Sequence, residues 1–219
     1  MTRVAVVGAH GQVGQRILNQ LYVEGHEGVG LVRNADQGED IVRLGGDAAL
    51  LDLEQATPEE LASAFEGADA VVFTAGAGAG SGADRKRTVD YGASVLSIEA
   101  AGLAGVRRFV QISAWGADDP LGEDADEVWT AYVAAKRDAD AALRESDLDW
   151  TILRPGGLTN DPGTGLIELA PRTERGSIPR EDVAATVLAV LAEPASIGST
   201  WELVSGPTPI ADAVARAAV

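Results

Sequence analysis

The stretch Arg3-Val-Ala-Val-Val7-Gly8-Ala-His-Gly11-Gln-Val-Gly14 decides the fold of this chain. Residues 3–7 are apolar and mostly β-branched, a glycine-spaced segment follows them directly, and a helical pattern starts after it. A buried strand that turns on glycines into a helix N-terminus can hold a pyrophosphate, because glycine lets the backbone approach the phosphates and the helix end offers free N–H groups. In this setting the spacing G-x-x-G-x-x-G predicts dinucleotide binding, and an ordinary tight β–α turn is the alternative.

Composition argues against several kinds of site and partner. The 219 residues suit one domain, and the 46% that are apolar suffice for a packed core. The absence of cysteine excludes disulfides, and two histidines in different contexts argue against a metal site. The net charge of −17 argues against nucleic acid and anionic membranes, and no apolar run reaches the ~20 residues of a membrane span. We expect a cytoplasmic protein, monomeric or weakly homodimeric, with a small-molecule substrate and no nucleic-acid, membrane or metal partner.

Short apolar runs alternate with helical patterns along the rest of the chain. The predicted strands cover residues 3–7, 28–32, 47–51, 68–74, 106–112, 149–153 and 200–204. The predicted helices cover residues 12–22, 57–66, 84–101, 126–146, 182–192 and 210–218, and an irregular segment spans 158–180. The alternation predicts an α/β fold: one Rossmann domain over residues 1–219, with a doubly wound parallel sheet of about seven strands and helices on both faces. Residues 156–180 and the C-terminal region are expected to form a small substrate-side cap.

The residue after the second predicted strand indicates which nicotinamide cofactor is bound. An acidic residue near this point takes the ribose 2′-hydroxyl of NAD, whereas a basic one accommodates the 2′-phosphate of NADP. Arg33 lies about 20 residues past the glycine loop, where that contact is expected. NADP is therefore the predicted cofactor. Asp36 and Asp40 nearby weaken this prediction, so NAD binding and an exposed loop arginine without a ligand stay open as alternatives.

Two further strand ends face the same predicted crevice. Asp52 follows the third strand and can either accept from an adenine amino group or serve as a turn residue. The fourth strand ends in Ala75-Gly-Ala-Gly-Ala-Gly80, whose small side chains leave room for a cofactor where the strand order reverses. A flexible Gly-Ala linker over residues 78–82 is the alternative to that interpretation.

Three residues are candidates for the reduction of a carbonyl by a nicotinamide. Ser113 follows the fifth strand, and Tyr132 and Lys136 lie one turn apart on one face of a long helix. Hydride that arrives at carbon leaves negative charge on oxygen, so a hydroxyl must donate to that oxygen. Tyr132 is the predicted general acid/base, Lys136 is expected to lower the pKa of Tyr132 from about 10, and Ser113 is the predicted polarising donor. A buried ring beside a solvated charge, with Ser113 merely ending a strand, is the alternative.

With these residues in view, the chain resembles the atypical short-chain dehydrogenase/reductases, in particular the NAD(P)H-binding branch of NmrA-like and biliverdin reductase B-like proteins and sugar epimerases. The matching segments run nearly from end to end: Gly8-Ala-His-Gly11-Gln-Val-Gly14, Leu31-Val-Arg33, Val89-Asp-Tyr91, Arg108-Phe-Val-Gln-Ile-Ser113, Tyr132-Val-Ala-Ala-Lys136, Thr151-Ile-Leu-Arg-Pro-Gly-Gly157 and Ile178-Pro-Arg-Glu-Asp-Val183. One departure is that residues 90–94 contain no asparagine, which many dehydrogenases of this superfamily use in the fourth helix.

The resemblance implies a role for each part of the cofactor site. The pyrophosphate would lie on the glycine loop, formed by Gly8, His10, Gly11, Gln12, Val13 and Gly14. Arg33 would bind the 2′-phosphate, Asp52 and Leu53 would flank adenine, and Ala75 and Gly76 would flank the adenosine ribose. On the nicotinamide side, Lys136 would bind the ribose, and the carboxamide would contact Pro155, Gly156, Gly157 and Leu158.

Two functions from different classes fit these residues. The first is an oxidoreductase that transfers hydride between NADP and a small carbonyl, quinone or flavin-like substrate, bound between the nicotinamide, Trp115 and residues 158–178. The second is a non-catalytic protein that senses NADP(H). The combination of Ser113, Tyr132 and Lys136 favours the enzyme. An NAD-dependent sugar epimerase is a third possibility with less support, because the region after residue 156 is short for the substrate domain of such enzymes.

Overall fold

A largely parallel sheet forms the centre of the protein, whose structure, a computed structural model, describes residues 1–78, 80–122 and 125–218. The strands are β1 Arg3–Val7, β2 Glu27–Val32, β3 Asp47–Leu50, β4 Ala70–Phe73, β5 Arg108–Ile112, β6 Asp149–Pro155, β7 Gly157–Thr159, β8 Leu166–Ala170, β9 Ser177–Pro179, β10 Ser199–Ser205 and β11 Thr208–Pro209. The α-helices are α1 Gln12–Val23, α2 Ala35–Arg43, α3 Pro58–Ala64, α4 Ala83–Arg85, α5 Ala93–Ala104, α6 Glu127–Arg144, α7 Arg180–Ala192 and α8 Ile210–Ala217.

The strand order confirms the predicted Rossmann fold and extends it. The sheet has nine strands in the order β11-β8-β10-β6-β5-β4-β1-β2-β3, of which the run from β10 to β3 is parallel. Strands β8 and β11 add antiparallel pairs at one edge, and β7 and β9 form a separate two-stranded sheet. Chain connections leave β1 for β2 on one side and return to β4 on the other, so a crevice opens above the carboxyl end of β1.

The region expected to be irregular, residues 158–180, contains strands β8 and β9 and most of β7. That expectation is wrong because these strands are only three to five residues long and are separated by glycines and prolines. Such short segments carry too few alternating positions for a sequence pattern to stand out. The structure therefore builds ordered pairing where the sequence predicts a loop.

Alternate residues of β1 place the core on both faces of the sheet. Val4 and Val6 pack with Ile17 of α1 in one cluster, which also includes side chains of α7 and α8. Ala5 and Val7 point the other way and pack with Phe65 and residues of α5 in the second cluster. This alternation follows from the two-residue period of a strand and gives helices on both faces, as predicted. In the part of the chain that the structure describes, no helix is long and apolar enough to cross a membrane.

Two helical features differ from the prediction. Helix α2 had no sequence signal, because only Gly38 and Ile41 of it are buried. Asn34 precedes it as the N-cap residue, and its side chain accepts from the N–H of Gln37. The helix predicted over 84–101 is interrupted by a π-helix, Lys86–Gly92, between α4 and α5. The wider turn buries Lys86 and Asp90 beneath the site described next. π-Helical turns of this kind occur frequently at functional sites.

Candidate functional site

The glycine loop packs so closely that side chains would not fit. Gly8 has a φ of +84°, and a Cβ there would lie 2.6 Å from the backbone of Ala75. A Cβ on Gly14 would lie 2.6 Å from the carbonyl oxygen of Gly8. Helix α1 starts at Gln12, so its first N–H groups open onto the loop, where they have no partner within the helix. Val13 is buried in the core, which leaves its backbone as the part available to a ligand.

A cavity of about 290 Å³ opens at the carboxyl ends of the strands next to this loop. Many residues predicted to bind the cofactor line it: Gly8, His10, Gly11, Arg33, Asp52, Leu53, Ala75 and Gly76. Sequence reasoning missed other lining residues, among them Gln37, Glu54, Arg85 and Val89. The lining mixes apolar and polar side chains, and its place, where strand order reverses, is typical of the adenosine half of a dinucleotide site.

Several polar groups of this cavity have hydrogen-bond partners within the protein. The Glu54 carboxylate accepts from Arg85 at 2.8 Å and from the Thr88 hydroxyl at 3.0 Å. These hydrogen bonds, and the charge of Arg33, hold the pKa of Glu54 below its ordinary value although burial opposes the shift. His10 Nε2 lies 2.9 Å from Asp40, which also accepts from Arg43, so Asp40 is neutralised by groups other than Arg33.

Ser113, Tyr132 and Lys136 meet at the same edge of the sheet, around two buried carboxylates. Lys136 Nζ donates to the carbonyl oxygen of Ile112 at 3.3 Å and lies 3.4 Å from Asp90. The Ser113 hydroxyl donates to Asp140 at 2.9 Å. Helix α6 therefore places its Lys136 directly beneath the end of β5, as the Tyr-x-x-x-Lys spacing leads one to expect.

The half-buried ring of Tyr132 is held by aromatic and cationic neighbours. The Trp129 ring lies 5.4 Å from it between centroids, and Lys86 Nζ lies 5.3 Å from its centroid. Lys86 reaches this position from the π-helix and also donates to the carbonyl oxygen of Gly78 at 2.9 Å. The cation next to the Tyr132 ring is thus a residue that sequence reasoning did not single out.

One expectation about this group is wrong, and a second, the role of Ser113, stays a prediction. Lys136 does not lower the pKa of Tyr132; burial raises that pKa to about 12, and the charges of Asp90 and Asp140 add to the rise. The lysine charge is balanced by Asp90, which explains why it leaves the phenol unaffected. Ser113 was expected to donate to a substrate oxygen, but its hydroxyl donates to Asp140 within the protein.

Asp140 is the centre of a buried network that fixes the loop after β5. Besides Ser113, it accepts from Gln111 at 2.7 Å and from Arg154 Nε at 2.9 Å. Burial raises the pKa of Asp140, and these donors oppose the rise. The same Arg154 guanidinium donates to Asp118 at 2.6 and 3.0 Å, which connects the loop after β5 to β6. Arg154 is therefore a structural residue of this edge.

Asp90 is the functional residue most clearly missed by sequence reasoning. It is 1% exposed, and its carboxylate accepts from the N–H of Ala77 at 3.0 Å as well as pairing with Lys136. A Cβ on Gly76 would lie 2.9 Å from this carboxylate, so the glycine loop after β4 is shaped around it. The available signal was an acidic residue within the Val89-Asp-Tyr91 motif, at the place where many dehydrogenases have asparagine.

The residues predicted to hold the nicotinamide lie on the other side of Ser113. Pro155 ends β6, and a Cβ on Gly156 would lie 2.4 Å from the carbonyl oxygen of Gly176. Gly157 and Leu158 belong to β7, where Leu158 pairs with Ile178 of β9. Among the described residues these four are not part of the 290 Å³ cavity. Trp115 is half-buried and donates from its indole N–H to Thr173 at 3.1 Å, beside this segment.

Comparison with known proteins gives matches along nearly the whole chain. A family model described as NAD(P)H-binding matches residues 8–194. YhfK of Bacillus subtilis, named an uncharacterized sugar epimerase, is 41% identical over 216 residues, which cover 98% of this chain and 99% of that protein. The chain is also similar to the structure of a candidate NAD-dependent epimerase/dehydratase from Bacillus halodurans, with 37% identity, a TM-score of 0.91 and coverage of 99% and 100%. The anaerobilin reductase ChuY of Escherichia coli O157:H7 is 28% identical, with a TM-score of 0.80 and coverage of 93% and 97%.

Proposed function

The chain belongs to the NAD(P)H-binding family, and on that premise we propose that it is an NADP-dependent oxidoreductase of the atypical short-chain dehydrogenase type. Its acceptor is a small carbonyl, quinone or flavin-like molecule. One observation carries the proposal: a cavity lined by the glycine loop and Arg33 opens at the carboxyl ends of the strands, and α6 brings Lys136, one turn from Tyr132, to the carboxyl end of β5. The reductase activity named for ChuY supports this class of reaction.

The residues of the cavity fit the adenosine half of NADP. The first N–H groups of α1, which have no partner within the helix, are available to the pyrophosphate, and Arg33 offers a cation to the 2′-phosphate. Asp52 and Leu53 lie at the adenine position, with Lys136 proposed for the nicotinamide ribose. Bound NADPH supplies the hydride of the reaction.

Tyr132 supplies the proton in this proposal. Its phenol is protonated at neutral pH, which is the form that a general acid needs in the direction of reduction, although a pKa raised to about 12 makes it a weaker acid than one with a pKa near neutrality. Trp129 and Lys86 fix the ring, so its hydroxyl keeps one direction. Lys136, neutralised by Asp90, then acts on the cofactor instead of on the pKa of the phenol.

We further propose that residues 1–219 act as one cofactor-binding domain, and that residues 156–180 with the C-terminal region cap the substrate side. The pairing of β7 with β9 and the contact of Trp115 with Thr173 support a cap over the nicotinamide end. This small cap is the reason to rank a sugar epimerase lower, although the Bacillus subtilis relative carries that name.

A non-catalytic NADP(H) sensor is the second candidate. It is favoured by the internal pairing of Ser113 with Asp140 and of Lys136 with Asp90, which leaves Tyr132 without an activating partner. In a sensor the same cavity binds NADP(H), but hydride transfer to an acceptor is absent.

Turnover of NADPH with a panel of carbonyls, quinones and flavins tests the proposal. We expect oxidation of NADPH with at least one acceptor and a loss of about 10²–10⁴-fold in kcat for Tyr132→Phe, the usual contribution of a general acid. Tyr22→Phe is the matched control, because Tyr22 is 62% exposed on α1. Tight NADPH binding without turnover on any acceptor would favour the sensor, and equal activity of both variants would remove Tyr132 from the chemistry.

A further inference from the structure

A second arginine lies on the adenosine cavity and is held by a carboxylate. Arg85, at the end of α4, lines the cavity together with Arg33 and Glu54. Its Nη2 lies 2.8 Å from Glu54, which follows the predicted adenine contacts Asp52 and Leu53 in the chain. Thr88 donates to the other oxygen of the same carboxylate at 3.0 Å. Glu54 thus links the two sides of the cavity, the segment after β3 and the helical segment after β4.

Arg33, Arg85 and Glu54 form a candidate anion site in which the carboxylate of Glu54 takes the place of the anion. The Glu54 carboxylate accepts from one guanidinium and lies in the field of the other, since the charge of Arg33 also lowers its pKa. In a chain with a net charge of −17, this cavity brings two guanidinium groups, Arg33 and Arg85, together with the carboxylates of Asp52 and Glu54, so the loss of Glu54 from its pairing would leave positive charge in excess. A phosphate and a carboxylate present similar acceptor oxygens, so either can accept hydrogen bonds from the same pair of guanidinium N–H groups.

We propose that Arg85 is a second specificity-determining residue for the 2′-phosphate of NADP, and that Glu54 occupies Arg85 until the phosphate displaces it. This inference rests on the proposed binding of NADP and extends it: Arg33 provides the first contact, and Arg85 the second. Glu54 then sets the affinity, because its negative charge competes with the phosphate for the same donors. NAD, which has no 2′-phosphate, gains nothing from Arg85.

Binding measured by calorimetry with NADP⁺ and NAD⁺ on the full chain tests the inference without any need for turnover. We expect Arg85→Gln to weaken NADP⁺ binding about tenfold and to leave NAD⁺ binding within about twofold, in line with one charge-assisted hydrogen bond. Glu54→Gln is expected to tighten NADP⁺ binding several-fold with NAD⁺ unchanged. Arg87→Gln is the matched control, since Arg87 lies two residues further on, is 71% exposed and contacts Asp138 and Tyr91.

The outcomes separate this inference from the proposed function. If neither NADP⁺ nor NAD⁺ binds the unmodified chain, the proposed function fails. If both bind, but Arg85→Gln weakens them equally, then Arg85 contacts the shared adenosine portion and the inference is overturned. Equal losses of NADP⁺ affinity in Arg85→Gln and Arg87→Gln would show a general effect of charge, and weaker NADP⁺ binding in Glu54→Gln would exclude a competing carboxylate.

Discussion

Burial and the nearby charge of Asp90 both affect how Tyr132 titrates. Both the burial of the phenol and the negative charges of Asp90 and Asp140 raise the pKa of Tyr132 to about 12. An unfolded chain loses this proton near pH 10, so between about pH 10 and pH 12 the folded state binds more protons than the unfolded one. The contribution of Tyr132 to stability is therefore lost as pH rises through that window. The absorbance of the Tyr132 phenolate, measured as the difference between the parent and Tyr132→Phe, is expected to appear only near the upper end of this pH window.

Asp90→Asn tests this assignment, because the amide keeps the hydrogen bond to Ala77 and removes the charge. The unpaired Lys136 ammonium is then expected to lower the pKa of Tyr132, which the same absorbance difference measures. Breaking a buried ion pair costs about 3–5 kcal/mol of the free energy of unfolding. Asp138→Asn is the control, since Asp138 is 44% exposed and lies 3.9 Å from Arg87. An unchanged phenol titration in Asp90→Asn would show that the charge of Asp90 has no bearing on Tyr132.

At the residue scale, the sequence predicts ligand-facing positions better than it predicts pairing. Gly8, Arg33 and Asp52 line the cavity because each follows a recognisable strand, and strand ends are local features. Ser113 and Asp140 are 27 residues apart in the chain, and their contact depends on how α6 lies across β5. Lys136 meets Asp90 for the same reason. Since no local pattern encodes such contacts, the sequence does not predict that Ser113 pairs with Asp140 or that Lys136 pairs with Asp90.

At the element scale, the glycine turn between β1 and α1 depends on two separate constraints. Gly8 combines a left-handed φ of +84° with a close approach to the backbone of Ala75 at 2.6 Å. Gly25, at the end of α1, has a similar φ of +77° and open space around its Cα. The two positions therefore separate the cost of backbone conformation from the cost of the contact between the loops after β1 and β4.

The variants Gly8→Ala and Gly25→Ala separate the effect of the close contact from the effect of the left-handed backbone conformation. We expect Gly25→Ala to lower the free energy of unfolding by about 1–2 kcal/mol, the cost of a left-handed conformation, without any change in NADPH affinity. Gly8→Ala should cost more, because backbone cannot yield as a flexible side chain does, and should weaken NADPH binding at least tenfold. Urea unfolding and NADPH fluorescence measure the two quantities. Equal effects of both substitutions would mean that the 2.6 Å approach is not needed for the cofactor site.

The helical segment after β4 contains a π-helix that the spacing of apolar residues does not predict. The sequence predicts a continuous helix over 84–101, and helical residues do cover this range. The π-helix within it is not visible in the apolar spacing, because one wide turn shifts only a few side chains. Yet that turn buries Lys86 and Asp90 beside Tyr132 and Lys136, and its Thr88 donates to Glu54, which also accepts from Arg85 on the 290 Å³ cavity. A small departure from α-helical geometry thus joins both halves of the candidate site.

At the scale of the whole molecule, the sequence predicts the parallel core of the sheet but not the antiparallel edge formed by β8 and β11. Long apolar strands separated by helices leave few arrangements for a sheet, and the observed order from β3 to β10 is among them. The antiparallel addition of β8 and β11 depends on pairing with β10 across the cap region, which no strand-by-strand pattern specifies. The parallel core positions the cofactor crevice, so this crevice was predictable, while the shape of the cap and its contacts with Trp115 were not.

The contact between Arg154 and Asp118 makes the loop after β5 sensitive to acid. The hydrogen bond from Arg154 holds the pKa of Asp118 below its ordinary value, although burial opposes this. An unfolded chain takes up this proton near pH 4, so between that pH and the lower pKa of the folded state the unfolded chain binds more protons. The stability that Asp118 contributes is therefore complete above about pH 4 and is lost as pH falls through its folded-state pKa.

Asp118→Asn is expected to lower the free energy of unfolding at neutral pH by about 1 kcal/mol or less, because the Asp118 side chain is 49% exposed and water screens the pair. The difference between parent and variant should shrink below about pH 4, since the parent then loses the same interaction. Urea unfolding from pH 7 to pH 3 measures this difference, with the exposed Asp161→Asn as the control for loss of one charge. A difference that stays constant across the whole pH range would mean that Arg154 holds the loop through Asp140 and not through Asp118.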